Sequence, residues 1–429
     1  MKTFDSFSFG CRVNQAEKEA LDRELVLKGY SRTTSEPDVY ILNTCSVTHK
    51  AEREAKQHIY QIHRQFPSTK IVVTGCAATN WKKTNETIEG IDLLVDNQSK
   101  EYIAEILEKR YKLPKKGPAV DAGSQILVND KFMRSGRVII KIQDGCHRFC
   151  SFCIVPYLRG LPVSVSTDTL LDKVKEFEKS NFKEVIVTAI NTEAYGRDSG
   201  ETFVNFLDRL FTETNIPRFS FGSIHPWTFT QEFLDFYARY AQSSRFVHFF
   251  HIPLQSGSNK ILNLMKRGYT REEFIEKLNK IKDLNPFAFI GTDVIVGYLE
   301  EEDADFEDTY KFMEQTPISK FHVFRFSTRQ HTAAFHMAKR LKMPTVEQKK
   351  ARSERLRKLS EKKYFEFIQT HVGHQFEALI LERREGEYQQ ALLGNQILSM
   401  IKSPEDRCGE IVKVEINEIR KQKLLGRII

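Results

Sequence analysis

The sequence lacks any apolar run long enough to cross a membrane. A membrane-spanning helix needs about 20 consecutive apolar residues, and no run in these 429 residues approaches that length. The first residues, Met1 to Gly10, also lack the long apolar region and the small-residue cleavage site of a secretory signal. We therefore predict a cytoplasmic protein without a membrane partner.

Cysteine is scarce, with seven in 429 residues, and no Ser-His-Asp or paired-carboxylate motif indicates hydrolytic catalysis. Cytosolic thiols are kept reduced, so patterned cysteines there are more often metal ligands than disulfides. Cys146, Cys150 and Cys153 form a Cys-x-x-x-Cys-x-x-Cys run after a predicted strand at 138–142. Three such thiolates can bind one face of a cubane cluster and leave the fourth iron open. A zinc or ferredoxin site would need a fourth cysteine nearby, and none stands near Cys153.

A second group of cysteines, Cys11, Cys45 and Cys76, follows three short predicted strands near the N-terminus. Strands that alternate with helices favour a parallel sheet, in which ligands bind beyond the carboxyl ends of the strands. We predict that these three cysteines converge there and hold a second cluster. Buried structural thiols are the alternative. Cys408 stands alone and is predicted to be structural.

The length of the chain suits two or three domains, and its patterns predict three. Residues 1–120 alternate strands and helices, which indicates a parallel α/β domain. Residues 132–365 contain six βα repeats, one of them with a strand predicted at 289–296. The repeats predict a partial (β/α)6 barrel with its chemistry at the carboxyl ends of the strands. Within residues 366–429, four strands predicted at 376–381, 388–393, 396–401 and 410–416 indicate a small antiparallel β-barrel. A basic connector is expected at 109–131, and the overall fold class is α/β.

The charge pattern indicates a polyanionic partner. The formal net charge is +8, and the segment from Lys339 to Lys363 carries eleven Lys or Arg against three Glu. Clustered cations bind phosphates by displacing their counterions. This segment is predicted to be a basic helix that contacts RNA, and a merely solvated helix face is the alternative.

The order of the six cysteines and their neighbourhoods resembles the radical S-adenosylmethionine methylthiotransferase family. The stretches Phe9-Gly-Cys-Arg-Val-Asn-Gln15, Asn43-Thr-Cys45 and Lys141-Ile-Gln-Asp-Gly-Cys146 are most similar to the branch that acts on N6-threonylcarbamoyladenosine beside the tRNA anticodon. The resemblance implies two [4Fe-4S] clusters, an auxiliary one on Cys11, Cys45 and Cys76 and a radical-generating one on Cys146, Cys150 and Cys153. It also implies S-adenosyl-L-methionine as cofactor, a C-terminal TRAM domain that binds the tRNA anticodon stem-loop, and a reductant protein such as flavodoxin or ferredoxin.

The resemblance also supplies cofactor-binding candidates. Phe152 matches the family's aromatic beside the adenine of the cofactor. Further candidates for hydrogen bonding lie at strand ends, with ordinary turn or strand roles as the alternative; they are Thr188, Asn191, Gln255, Ser256 and Asp293. At four positions this chain lacks the arginine, glycine or proline that is usual in the family. The residues at these positions are Val163, Val165, Ala189 and Leu299.

The expected reaction is insertion of a methylthio group at C2 of N6-threonylcarbamoyladenosine. Three alternatives remain. The substrate could instead be isopentenyladenosine in tRNA or an aspartate of a ribosomal protein, or the chain could be an RNA-binding relative without catalysis.

Overall fold

The computed structural model describes residues 3–111 and 135–429. Its first sheet has five parallel strands in the order β2-β1-β3-β4-β5. Every residue of β3 is buried, as expected for a parallel strand covered by helices on both faces. The strands are β1 (Thr3–Ser8), β2 (Ser31–Arg32), β3 (Val39–Thr44), β4 (Lys70–Gly75) and β5 (Leu93–Leu94). The helices are α1 (Arg12–Leu27), α2 (His49–Gln65), α3 (Cys76–Lys83) and α4 (Ile103–Tyr111).

The central part has the six predicted parallel strands in sequence order, which confirms the partial barrel. Isolated parallel bridges pair Phe219 of β9 with Phe246, before β10, and Ser223, after β9, with His251 of β10. A short strand, β7 (Val163–Ser164), pairs antiparallel with β6. The six strands are β6 (Arg137–Asp144), β8 (Glu184–Ala189), β9 (Arg218–Phe221), β10 (Phe249–His251), β11 (Phe289–Val296) and β12 (Lys320–Arg325). Their helices are α5 (Val155–Arg159), α6 (Thr167–Lys179), α7 (Phe203–Glu213), α8 (Gln231–Tyr240), α9 (Asn259–Leu264), α10 (Arg271–Leu284) and α11 (Asp303–Gln315).

The predicted basic helix from Lys339 to Lys363 is wrong at its start. The structure has α12 (Ala333–Met337) and then α13 (Val346–Gln369). Pro344 lies between them and disfavours helix in the residue before it, and Thr345 caps α13 with a capping box. The predicted connector overlaps α4 at 109–111, and its remaining residues lie outside the described ones.

The C-terminal part is a closed barrel with the strand order β13-β14-β15-β17-β16. Its pairs are antiparallel except β15 with β17, which is parallel. The last strand was not predicted, because the turn before it, Lys421-Gln422, has positive φ at both residues without the usual Asn or Gly. The strands are β13 (Gln375–Glu385), β14 (Tyr388–Leu393), β15 (Leu398–Lys402), β16 (Ile411–Arg420) and β17 (Lys423–Ile428).

This closed barrel packs against the amino ends of the central strands. Arg218, at the start of β9, donates to the carbonyl oxygens of Leu392 and Leu393 at 3.1 and 3.2 Å. Glu184, at the start of β8, accepts a hydrogen bond from Gln396 at 2.5 Å. The carboxyl ends of the central strands are therefore at the opposite end from the closed barrel. Across residues 3–111 and 135–429, no helix has the length and apolar character needed to span a membrane.

Candidate active site with two cysteine triads

The first triad comprises Cys11, Cys45 and Cys76, at the carboxyl edge of the first sheet. Cys11 follows β1 and is the N-cap of α1, Cys45 follows β3, and Cys76 is the first residue of α3 after β4. Cys45 and Cys76 are buried, whereas Cys11 is exposed. The parallel topology thus brings three thiols to one edge of the sheet.

Glycines directly before two of these cysteines let their loops approach closely. Gly10 has a φ of 97°, and a Cβ there would lie 2.6 Å from Cβ and 2.9 Å from Sγ of Cys45. Gly75 has a φ of 99°, and a Cβ there would overlap the backbone of Thr44. A larger residue at either position would strain the backbone and push the loops apart. The packing of the first triad therefore depends on both glycines.

The second triad, Cys146, Cys150 and Cys153, lies on the loop between β6 and α5. The backbone N–H of Cys153 donates to the Cys150 carbonyl oxygen at 2.9 Å. The Ser151 hydroxyl donates to the carbonyl oxygen of Leu264 at 2.7 Å, which ties the middle of the loop to the end of α9. The loop is thus held at the carboxyl end of the first central strand.

The two triads are neighbours. Cys76 packs in one buried apolar cluster with Ile154 and Leu158, which follow the last cysteine of the second triad. Arg159, the last residue of α5, donates from Nε to Cys76 Sγ at 3.3 Å. Asn97 Nδ2 donates to the Leu158 carbonyl oxygen at 3.2 Å and lies 3.7 Å from Cys76 Sγ. The segment that carries the second triad therefore forms one wall of the first.

Burial keeps thiols in both triads protonated when no metal is bound. It raises the pKa of Cys45 to about 12, although the backbone N–H of Val47 acts in the opposite direction. It also raises the pKa of Cys153 to about 12, and the neighbouring Cys150 adds to this shift. Iron binds thiolates, so metal binding at either triad must release protons.

The donor chemistry of each triad is compatible with an iron–sulfur cluster rather than a single ion. Within the described ranges 3–111 and 135–429, no three His, Cys, Asp or Glu side chains are close enough to bind one metal ion together. In an iron–sulfur cluster each thiolate binds a different iron, so the three sulfurs need not meet at one point. Thiolates are also the ligands that such clusters prefer.

Three of the predicted cofactor-binding residues lie near the second triad or at the end of β8. Burial raises the pKa of Cys146, and a hydrogen bond with the Asn191 side chain opposes that shift. Asn191 Oδ1 is buried and has no hydrogen-bond partner among the described residues. Thr188 is buried on β8. Phe152, between two of the cysteines, packs against the apolar cluster that contains Tyr298.

The other three, Gln255, Ser256 and Asp293, lie together at neighbouring strand ends. The backbone N–H of Gln255 donates to the Asp293 carbonyl oxygen at 2.8 Å. Gln255 has a φ of 82°, and its Oε1 is buried without a partner among the described residues. Asp293 Oδ1 lies 3.2 Å from His251 Nε2. The Ser256 hydroxyl lies 3.3 Å from Thr309 Oγ1, so it is engaged with helix α11.

Three charged residues at the site were not predicted from the sequence: Glu17, Arg159 and Arg267. Arg159 Nη1 donates to Glu17 Oε1 at 2.9 Å, and Arg267 Nη1 donates to Cys150 Sγ at 3.2 Å. Glu17 could have been noticed in the sequence because it is a carboxylate on the same face of α1 as the buried apolar residues. The two arginines have no distinguishing local pattern, because their partners are far away in the sequence.

The four residues that differ from those usual in the family have different structural environments. Val163 pairs with Asp144 and is exposed, whereas Val165 packs partly against the central core. Ala189 is buried at the end of β8, and Leu299 is buried beside Tyr298. Valine at 163 therefore leaves a solvent-facing position without charge, next to a carboxylate that Arg159 binds.

Residues 140–313 match the Radical SAM superfamily, and residues 3–96 match a family described as uncharacterized protein family UPF0004. The chain is 34% identical over 420 residues to threonylcarbamoyladenosine tRNA methylthiotransferase MtaB of Aquifex aeolicus (strain VF5), covering 95% of this chain and 98% of that protein. The chain belongs to the radical SAM methylthiotransferase family. This confirms the family and the α/β fold class predicted from the sequence.

Two further relatives of this methylthiotransferase differ in their named substrates. The MtaB protein of Bacillus subtilis (strain 168) is 33% identical over 429 residues, covering 97% of this chain and 94% of that one. A tRNA-2-methylthio-N(6)-dimethylallyladenosine synthase of Staphylococcus aureus (strain Newman) is 28% identical over 449 residues, covering 100% and 85%. Among solved structures, the radical S-adenosylmethionine methyltransferase TsrM of Kitasatospora setae has a TM-score of 0.55 at 12% identity, covering 78% of this chain and 77% of that one. This last similarity concerns the fold alone.

Proposed function

We propose that this methylthiotransferase acts on tRNA and inserts a methylthio group at C2 of N6-threonylcarbamoyladenosine next to the anticodon. The observation that carries the proposal is the contact of the first triad with the segment that directly follows the second, in which Cys76 packs against Ile154 and Leu158. Sulfur insertion needs a radical source and a sulfur donor beside the same substrate carbon, and two adjacent triads meet that need. The substrate is suggested by the two MtaB relatives, at 34% and 33% identity, against 28% for the dimethylallyladenosine synthase.

We assign one [4Fe-4S] cluster to Cys11, Cys45 and Cys76 and another, with S-adenosyl-L-methionine, to Cys146, Cys150 and Cys153. When bound, these groups supply radical hydrogen abstraction and the sulfur for transfer. Burial raises the pKa of Cys45 and Cys153, and iron binds thiolates, so these two cysteines have to release protons when a cluster is bound. Ser151 and Gly10 hold the cysteine loops in position.

The remaining assignments concern the cofactor. The unpartnered buried oxygens of Asn191 and Gln255 are acceptors that suit the amino group or the hydroxyls of S-adenosyl-L-methionine, because buried acceptors need a donor. We assign supporting contacts to Thr188, Ser256 and Asp293, and packing beside the adenine to Phe152.

We further propose three domains, residues 1–120, 132–365 and 366–429, with the last binding RNA. The substrate is the anticodon stem-loop, whose unpaired adenine can leave its stack to enter a protein site. Such an enzyme works in the cytoplasm and receives electrons from a protein such as flavodoxin or ferredoxin.

Nucleoside mass spectrometry of tRNA tests the substrate. Cells without the protein should lack 2-methylthio-N6-threonylcarbamoyladenosine, and the intact gene should restore it while the C76A or C153A variant should not. An unchanged signal, or loss of the methylthio-isopentenyl nucleoside in its place, would refute the substrate assignment. Loss of neither nucleoside, with a changed ribosomal protein mass, would indicate the aspartate-modifying alternative.

Anaerobic reconstitution tests the cofactors. We expect iron for two [4Fe-4S] clusters per chain and cleavage of S-adenosyl-L-methionine after reduction. Iron for one cluster, or none, would contradict the two-cluster assignment. Binding of tRNA without cleavage of the cofactor would indicate the RNA-binding alternative.

A further inference from the structure

Each cysteine triad has one buried arginine on one of its sulfurs. Arg159 Nε donates to Cys76 Sγ at 3.3 Å, and Arg267 Nη1 donates to Cys150 Sγ at 3.2 Å. The Arg159 side chain is 1% exposed, and Arg267 is 4% exposed. A buried guanidinium is costly unless its charge is balanced and its donors are bound. The hydrogen-bond and ion-pair partners of Arg159 and Arg267 therefore indicate the role of each arginine.

The other donors of Arg159 are bound by carboxylates and an amide. Nη1 donates to Glu17 at 2.9 Å and to both carboxylate oxygens of Asp144 at 2.9 Å. Nη2 donates to Asn14 Oδ1 at 2.7 Å and to Glu17 at 3.3 Å. The planar fork of arginine fixes these partners relative to Cys76, and lysine could not reproduce that geometry.

These partners reach the loops of the other cysteines. Asn14 Nδ2 donates to the carbonyl oxygens of Phe9 and Thr44, which flank Cys11 and Cys45 in the sequence. Asp144 accepts from the backbone N–H of Gly145, directly before Cys146. Arg159 thus connects the three loops of the first triad to the start of the second.

The ion-paired group around Arg159 carries an excess of positive charge. Glu17 accepts from Lys100 at 2.5 Å and from Lys141 at 3.0 Å, in addition to Arg159. Lys141 and Arg159 also pair with Asp144. Three cations against two carboxylates leave one positive charge beside Cys76.

Arg267 is held differently. Nη2 donates to the Pro253 carbonyl oxygen at 2.8 Å and Nε to the Tyr269 hydroxyl at 2.9 Å. Its guanidinium carbon lies 4.6 Å from the centre of the Trp227 ring. Among the ion pairs of the described residues, none joins Arg267 to a carboxylate. Cys150, once it binds iron as a thiolate, would supply negative charge next to Arg267.

We propose that Arg159 and Arg267 are positioning residues, one for each triad, which orient Cys76 and Cys150 and place a fixed positive charge beside the group that each triad binds. The proposal rests on the proposed function, because it requires a cluster at each triad. A buried cation stabilises an electron added nearby, so each arginine should raise the reduction potential of its own cluster. Contacts to ligand sulfurs are one means by which proteins tune such potentials.

The test uses the full-length protein, reconstituted anaerobically with iron and sulfide. The first cluster is isolated in the C146A/C150A/C153A background and the second in the C11A/C45A/C76A background. Iron per chain and the one-electron midpoint potential are measured in dithionite titrations followed by electron paramagnetic resonance. R159Q should shift the first cluster to a more negative potential and leave the second unchanged, and R267Q should do the reverse. R159K, which keeps the charge, should shift the potential less than R159Q.

E17Q gives a prediction of opposite sign. It removes a negative charge from the same ion-paired group, so the potential of the first cluster should become more positive. A non-specific loss of packing around the cluster would not shift the potential in opposite directions in R159Q and E17Q. E17Q also keeps the test decisive if R159Q does not fold. Shifts of R159Q and E17Q in the same direction, or a change at both clusters, would overturn the proposal.

R329Q is the matched control. Arg329 is also buried and also connects the N-terminal and central parts, donating to Glu52 at 2.5 Å and to Ser46 Oγ at 2.8 Å. These hydrogen bonds go to no cysteine sulfur. R329Q should therefore leave the potential of the second cluster unchanged and shift that of the first by less than R159Q does. A shift of the first as large as that of R159Q would assign the effect to packing and refute the proposal. Failure of the unmodified triads to bind any cluster would instead refute the proposed function.

Discussion

At the scale of single residues, Gly10 is constrained by the cysteine that it faces. Its φ of 97° and the 2.6 Å gap to Cys45 Cβ leave no room for a side chain. We expect G10A to displace the Cys11 loop and to reduce reconstituted iron to about half, because the first cluster is lost and the second stays. The measurement is iron per chain after anaerobic reconstitution.

Gly200 provides the control for G10A. It has a φ of 80°, but a Cβ there would meet nothing within 4 Å. G200A therefore carries the backbone strain of a left-handed residue, on the order of 1 kcal/mol, without a steric overlap. It should keep the iron of the unmodified protein, and equal losses in G200A and G10A would contradict the packing argument.

His371 makes the fold sensitive to acid. Its Nε2 lies 2.7 Å from Asn395 Nδ2, which donates, and its Nδ1 lies 3.0 Å from the Phe367 carbonyl oxygen, which accepts. Only the neutral ring satisfies both contacts, and burial lowers the pKa of His371 from 6.5 to about 4. The unfolded chain therefore binds a proton more readily, so stability present above pH 6.5 is lost as the pH falls towards 4. The loss is on the order of 3 kcal/mol.

Urea unfolding of the metal-free protein between pH 4 and pH 7.5 measures this effect. H371Q should be less stable than the unmodified protein at pH 7.5 but should lose less stability as the pH falls. His374 is exposed, so H374Q should follow the profile of the unmodified protein. Parallel profiles for H371Q and the unmodified protein would be evidence against His371 as the source.

Residue identities could be predicted where the chemistry is local. Cys146, Cys150 and Cys153 are close in the sequence, so their spacing alone indicates a shared ligand. Arg159 could not be assigned in this way, because its partner Glu17 is 142 positions away. Only the packing of α5 against the first sheet brings these two residues together.

At the scale of elements, helix α13 has two kinds of cation. Arg352 is buried and binds Glu301 and Asp303, both at 2.7 Å, whereas Lys350 and Lys358 are exposed. R352Q should cost about 3–5 kcal/mol of unfolding free energy, because it leaves the buried Glu301 carboxylate without its partner. K350Q and K358Q should stay within about 0.5 kcal/mol of the unmodified protein. Chemical denaturation measures all three.

The same exposed lysines test whether α13 contacts RNA. If both lie on tRNA phosphates, K350Q/K358Q should reduce the slope of log Kd against log salt concentration by about 2. K173Q/K179Q, on helix α6, serves as a charge-matched control and should leave the slope unchanged. An unaltered slope in K350Q/K358Q would mean that these residues form only a solvated helix face.

The limits of strands and helices could be predicted from the sequence where the flanking turns contain the residues usual for such turns. The strand at 289–296 was predicted with its observed limits, since its apolar run is long and continuous. The strand at 423–428 was missed because Lys421 and Gln422 occupy a turn that usually contains Asn or Gly. The parallel pairing of β15 with β17 is a consequence of barrel closure, which local patterns do not contain.

At the scale of the whole molecule, the closed barrel and the cysteines lie at opposite ends of the central strands. Arg218 and Glu184 contact the closed barrel at the amino ends, whereas the loop with Cys146 follows the carboxyl end of β6. The sequence predicted both parts but not their arrangement, because the contacts that fix it join residues such as Arg218 and Leu392, which are 174 positions apart.

This arrangement limits what the closed barrel can do for a tRNA substrate. A nucleotide that enters near the cysteines cannot also touch the closed barrel, so any contact there has to come from the stem or from more distant parts of the tRNA.

Lys413 and Lys421 are exposed on this barrel. K413Q/K421Q should therefore weaken binding of full-length tRNA several-fold, as expected for lost phosphate contacts, and should leave binding of an isolated anticodon loop with a short stem unchanged. Fluorescence anisotropy with the two RNAs distinguishes these outcomes. Equal weakening for both would place the barrel contact in the loop or the short stem that the two RNAs share, close to the modified nucleotide, and would contradict a contact with more distant parts of the tRNA.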